Sequence, residues 1–214
     1  MREGPARAVA AIVTAATVVA GCRGGSPGTG KIRSVSIGPL PVMLVGDFPT
    51  VVYTHEEDGD TSFFLTDVPV SELLEGGVPD GQFVHIELLW APKAGATPMD
   101  ESATNVSVRH VVMSAGELGV YGGAGFALPA RKPGAARLNV AVRDTNLRLM
   151  ESTDGFTDPL TPTCLVGSFT AELDPVLSLK LRRALSQVVT NALGRTTFVR
   201  ANDEAPSGAR ASSQ

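Results

Sequence analysis

The chain has 214 residues, of which 43% are hydrophobic, 5% aromatic and 19% charged, with 23 Gly and 15 Pro. That composition gives one foldable body with a single core, and it excludes a disordered or low-complexity chain. A formal net charge of -4, from 18 Lys and Arg against 22 Asp and Glu, excludes the broad basic surface that nucleic acid requires.

The first element is an export signal. Arg2 and Arg7 precede an uncharged run from Ala8 to Ala20, which is shorter than the roughly 20 residues of a spanning helix. The run ends in Val19-Ala20-Gly21-Cys22, which resembles the lipobox of bacterial lipoproteins. The resemblance covers these N-terminal residues alone. It implies cleavage before Cys22, a diacylglyceryl thioether on its sulfur and acylation of the new amino terminus, so that two or three chains of the palmitate class hold the protein on a membrane. It also implies a place in the cell envelope on the extracytoplasmic side. Arg23 stands where an Asp would resemble an inner-membrane retention signal, which favours the outer membrane facing the periplasm in a host that has one. Loss of Arg2, Glu3 and Arg7 with the signal leaves a mature charge of -5.

Residues 22-30 read as the lipidated cysteine and a Gly-, Ser- and Pro-rich spacer, and the folded body is expected over 31-199. Ten β segments follow, punctuated by Gly, Pro and Asp: Arg33 to Ile37, Pro41 to Val45, Thr50 to Glu56, Ser62 to Thr66, Gln82 to Trp90, Asn105 to Met113, Leu118 to Leu128, Arg137 to Val142, Leu147 to Glu151 and Thr163 to Leu173. Asp58-Gly59 is a hairpin cue. Around Asp144-Thr145-Asn146 the apolar parity changes from Leu138, Val140 and Val142 to Leu147 and Leu149, which calls for a bulge or a turn.

Val70 to Glu75 reads as a short helix. A longer one is predicted over 175-193, with Asp174 as N-cap, Pro175 in the first helical position and Gly194 beyond its end. Its apolar stripe is Leu177, Leu181, Leu185, Val188 and Ala192. Residues 200-214 lack large apolar side chains and read as a disordered tail. The predicted architecture is therefore α+β: an antiparallel β-rich single domain, either a sandwich or a partly closed barrel, with one C-terminal amphipathic helix. Acidity is concentrated in residues 33-130, with 3 basic and 13 acidic side chains, whereas residues 131-214 carry 11 and 8.

Several motifs imitate chemistry. Gly25 to Lys31 matches the start of a phosphate loop, but Ile32 stands where Ser or Thr must hold magnesium and no strand feeds the loop, so no nucleotide is expected. Gly119 to Phe126 has glycines without the spacing of a dinucleotide fold, and they read as bends or close backbone approaches. His55, His85 and His110 fall in separate strands; alternation sends His110 to the core face and puts His85 on the face opposite Val84, Ile86 and Leu88. Glu56, Glu57, Asp58 and Asp60 read as a solvated turn, and no metal or other cofactor is expected. With Cys22 acylated, Cys164 has no internal partner and reads as a buried, inert thiol.

No acid, base, nucleophile and orienting group assemble from these motifs, so the chain is not expected to be an enzyme. The sequence points to a non-catalytic, membrane-anchored envelope component that contacts another envelope protein or the cell wall. The alternative is a small-molecule or lipid carrier with an apolar ligand inside a barrel.

Overall fold

A computed structural model describes residues 28-56, 61-75, 77-92 and 104-196. Eight strands, β1 (Gly28–Ser36), β2 (Met43–His55), β3 (Thr61–Thr66), β4 (Gly81–Leu88), β5 (Val106–Ser114), β6 (Glu117–Pro129), β7 (Arg137–Ser152) and β8 (Thr163–Leu173), pair with their sequence neighbours. A short helix α1 (Val70–Leu74) lies between β3 and β4, and α2 (Pro175–Leu193) follows β8. The antiparallel, β-rich expectation holds. The barrel, however, is closed: β8 pairs with β1 from Gly30↔Phe169 to Ser36↔Thr163, so the sheet has no free edge and is neither a sandwich nor partly open.

Eight strands replace the ten expected because two pairs of segments are continuous through bulges. In β2 the partners of Gly28 and Gly30 are Val51 and Phe48, so Pro49 and Thr50 accommodate an irregularity. Proline is tolerated there because the ladder is already broken. The inward face passes from Phe48 to Val51 and Tyr53, a change of parity at that point. In β7 the phase change read from the sequence is a bulge: Val142 pairs with Gly167 but Thr145 with Leu165, and Asp144 adopts φ 50°.

β1 also begins three residues inside the stretch expected as spacer. Gly28 and Gly30 turn their bare α-carbons toward Thr170 and Phe169 of β8, where a side chain would collide. Glycines that look like linker composition thus form the seam that closes the barrel.

The interior is filled by side chains. Tyr53 stacks on Phe63 at 5.5 Å and Phe63 meets Phe169 edge-on at 5.3 Å. Ile32, Leu65, Ile86, Val108, Val140 and Leu165 surround them, all buried. A second apolar cluster lies outside, where α2 covers Val52, Phe64, Phe83, Val111, Leu118 and Val120 with Leu181, Leu185, Val188 and Val189. Strands beneath the helix are therefore apolar on both faces, as in Phe63-Phe64 of β3. The helix starts and stops as its sequence requires: Asp174 accepts a hydrogen bond from the Leu177 amide at 2.8 Å, and Gly194 caps it at φ 67°. Each fully buried Leu or Val in this interface contributes about 1.5–3 kcal/mol.

Candidate functional site

The end where β1 begins is the mouth, and the opposite end, with the β1–β2 hairpin, is the base. A loop from Thr153 to Pro162 plugs the base. Leu160 is buried in the interior core, Phe156 packs over the bare Cα of Gly119, and the Tyr121 hydroxyl donates to Asp158 Oδ1 at 2.7 Å. Burial opposes ionisation of Asp158, but hydrogen bonds from Thr161, Leu160 and Tyr121 outweigh it and hold its carboxyl below the ordinary value.

Above this plug, a polar chain crosses the interior. Ser34 Oγ lies 3.3 Å from His110 Nδ1, His110 Nε2 lies 3.1 Å from Gln82 Oε1, and Gln82 Nε2 lies 3.4 Å from both Asp67 Oδ2 and the Val45 carbonyl. Complete burial drives the pKa of His110 down to about 4, so its ring is neutral at pH 7. A serine hydroxyl beside a histidine resembles a nucleophile–base pair, but Ser34 and His110 are both about 1% exposed. With no room for substrate at that hydroxyl, the chain is a satisfied buried network that ties β1, β4 and β5 together.

The mouth is more open. A hollow of about 750 Å³ is lined by His55, Thr61, Leu88, Trp90, Lys132 and Gly134, among others. His55 Nδ1 lies 2.8 Å from Thr61 Oγ1, and Gly134, at φ 101°, passes close to the ring. Trp90 stands at the rim, donating through Nε1 to the Thr104 carbonyl at 3.1 Å and meeting Phe126 edge-on. The Tyr53 hydroxyl donates to the Ala135 carbonyl and fastens the β6–β7 loop across part of this opening.

The most conspicuous surface lies at the base rim. From Val35 to Gly46 the chain carries no charge. Ile37, Leu40, Val42, Met43 and Val45 are all exposed, Leu40 to 86%. The hairpin is nonetheless held in place. Ser36 N donates to the Val42 carbonyl at 2.9 Å, Val42 N to Ser36 Oγ at 2.7 Å, and Ile37 N to the Pro162 carbonyl at 2.7 Å. The hairpin is thus an ordered, uncharged apolar surface that faces solvent. Sequence reasoning missed it because apolar residues in a predicted strand read as core; the absence of charge over twelve residues with Pro39 and Pro41 between the strands was the available signal.

The three histidines do not converge: His55 is at the mouth, His85 stacks on Phe64 at 4.8 Å on the outer face near α2, and His110 is inside. No cluster of three or more His, Cys, Asp or Glu suited to a metal occurs among the described residues. Cys164 is half-buried on the outer face of β8, where burial and then the Asp144 carboxylate raise its thiol pKa. Lys31, which would end a phosphate loop, lies in β1 and pairs with Asp47 at 3.8 Å. Asn105 is buried and bridges the Trp90 and Ala127 carbonyls. Cys22, Glu57, Asp58, Asp60 and the tail 200-214 lie outside the described residues.

Fold and surface together define a filled, up-and-down eight-stranded barrel with an external helix and an apolar hairpin at one rim. Comparison with protein-family models, with curated proteins and with solved structures gives no match to the chain.

Proposed function

We propose that this protein is a non-catalytic assembly component of a bacterial cell envelope, anchored through lipid on Cys22, which docks another envelope protein through its β1–β2 hairpin. The observation that carries the reading is the exposed, uncharged patch of Ile37, Leu40, Val42 and Met43. Its position supports a protein occupant. Cys22 precedes Gly28 by six residues, a reach of roughly 20 Å, and β1 carries the chain about 25–30 Å further to the hairpin. With the mouth toward the membrane, the hairpin faces away from it, toward a partner with an apolar groove.

A photo-crosslinker replacing Leu40 in the anchored protein should give one discrete heterologous protein adduct, whereas the same probe at Ser168 on the outer face of β8 gives none. The purified partner should bind wild type and fail to bind Met43→Asp. Crosslinking to lipid, or to further copies of this chain, would overturn the reading. The anchor has its own test: Cys22→Ser should abolish fatty-acid labelling and release the protein from membranes, and unchanged membrane association would refute it.

The mouth favours a second reading, a carrier of a small ligand. A closed eight-stranded barrel is compatible with one small guest, and the hollow beside His55, Trp90 and Lys132 offers aromatic and cationic contacts for it. Native mass spectrometry of the Cys22→Ser protein released from cells should then show a bound mass that Trp90→Ala loses. A bare mass would leave the assembly reading alone.

A further inference from the structure

At the base of the barrel β2 outruns its neighbour. Its pairing with β3 starts at Thr50↔Thr66, so the stretch from Met43 to Phe48 has β1 on one side and no strand on the other among the described residues. Closure of the ring leaves no edge strand, but it leaves this short length of β2 half-paired. The ladder phase identifies the groups concerned. Ser36 N donates to the Val42 carbonyl at 2.9 Å, and bonded pairs in an antiparallel ladder recur at every second residue. Leu44, Gly46 and Phe48 therefore turn their amides and carbonyls to β1, whereas Met43, Val45 and Asp47 turn theirs to the unpaired side. Ile37 N, which donates to the Pro162 carbonyl, fits the same alternation on the other side of β1.

Among the described residues, the Val45 carbonyl alone is met on that side, by Gln82 Nε2 at 3.4 Å. The Gln82 side chain thus occupies the place of one amide of an adjoining strand. The side chains above these groups are apolar and exposed, Met43 to 58% and Val45 to 45%, while Gly46 and Phe48 are buried on the inner face. Pro41 and Pro49 stand at the two ends of the stretch and offer no amide, so the template is one short strand long and not an open-ended aggregation seam.

We propose that Met43 to Asp47 is a strand-addition site, at which an extended segment of the partner pairs with the outer side of β2 in the lane that β3 vacates. This rests on the reading that the hairpin docks an envelope protein, and it names the chemistry of that partner. Main-chain groups facing outward at every second residue are satisfied by another β backbone, and Met43 and Val45 select a segment with apolar side chains at alternate positions. A second copy of this chain does not fit the anchored geometry. Its β2, added across a two-fold axis, would run antiparallel to the first and carry its own mouth, with the Cys22 that precedes β1, away from the shared membrane.

The probe is the covalent adduct that a photo-crosslinker replacing Leu40 forms in the anchored protein, compared with the uncrosslinked protein by residue-resolved hydrogen exchange. The Val45 and Asp47 amides should exchange at least about tenfold more slowly in the adduct, while Leu44 and Gly46, already bonded to β1, stay unchanged. Apolar contact without strand pairing gives no such alternation. Val45→Pro removes an amide that β1 does not use, so it should weaken binding of the purified partner about tenfold, and Val45→Ile should bind as wild type does. Uniform or absent protection from Met43 to Asp47, or a folded Val45→Pro protein that binds normally, overturns strand addition; hairpin docking then stands if Met43→Asp still abolishes binding. No protein adduct at Leu40, or an adduct to a second copy, overturns the docking reading and strand addition with it. Where Val45→Pro fails to fold, the exchange pattern decides.

Discussion

His110 Nε2 faces the amide oxygen of Gln82 at 3.1 Å, and this contact sets the direction of every proton between Ser34 and Asp67. A neutral ring opposite an acceptor must carry its hydrogen on Nε2, so Nδ1 is bare and accepts from the Ser34 hydroxyl. The Gln82 amide nitrogen then donates to Asp67, whose pKa burial raises and hydrogen bonds from Gln82 partly restore.

This network makes stability depend on pH. His110 has a folded pKa of about 4 against 6.5 when unfolded, so between these values only the unfolded chain binds the proton. Its contribution is complete above pH 6.5 and is lost as pH falls toward 4. About 2 kcal/mol should disappear between pH 7 and pH 5. Urea unfolding of wild type and His110→Gln at both values measures the difference, and the variant should lack this share of the pH dependence.

Tyr121→Phe should release the plug at the base. It removes the hydroxyl that donates to Asp158, a hydrogen bond to a charged acceptor worth about 1.5–3 kcal/mol. Amides of residues 153-162 should exchange faster in hydrogen-exchange mass spectrometry while those of β4 and β5 stay protected.

Gly167→Ala should open the seam. The added methyl would run into the Lys31 carbonyl and the Ile32 backbone, where β8 meets β1, and backbone on both sides has little freedom to yield. A loss of roughly 2–3 kcal/mol is expected, with lower exchange protection in β1 and β8 as the local readout.

Asp174→Ala should cost about 1 kcal/mol by removing the cap on the Leu177 amide. Leu181→Ala, at a fully buried position between α2 and the barrel, should cost about 2–5 kcal/mol. Chemical denaturation compares the two, and the larger loss belongs to Leu181.

The sequence made the local grammar of this fold readable. The parity change at Asp144, the caps at Asp174 and Gly194, and the inward face of Val106, Val108 and His110 all follow from nearest-neighbour rules, and the structure has them. Closure does not follow from such rules, because β1 meets β8 across more than a hundred residues of chain, and Gly28 and Gly30 look like linker until that partner is in place. His85 shows the same limit. Alternation assigned it correctly to the face away from Ile86, but α2 also covers part of that face, so position opposite the core did not mean position in water. The hairpin is the reverse case: its uncharged run with Pro39 and Pro41 marks it as unusual, but nothing in Ile37 or Leu40 themselves announces that no element packs on them.

The seam also has a mechanical consequence. β1, into which the leading segment of the chain runs, is laddered along both edges, and beyond its start β2 and β8 meet directly at Val52↔Glu172 and Tyr53↔Leu173. Tension drawn along β1 through that segment loads both ladders in shear, so their hydrogen bonds share the force instead of parting one by one. A pull from the other terminus meets α2, which is attached beyond Leu173 by side-chain packing and peels away before the barrel yields.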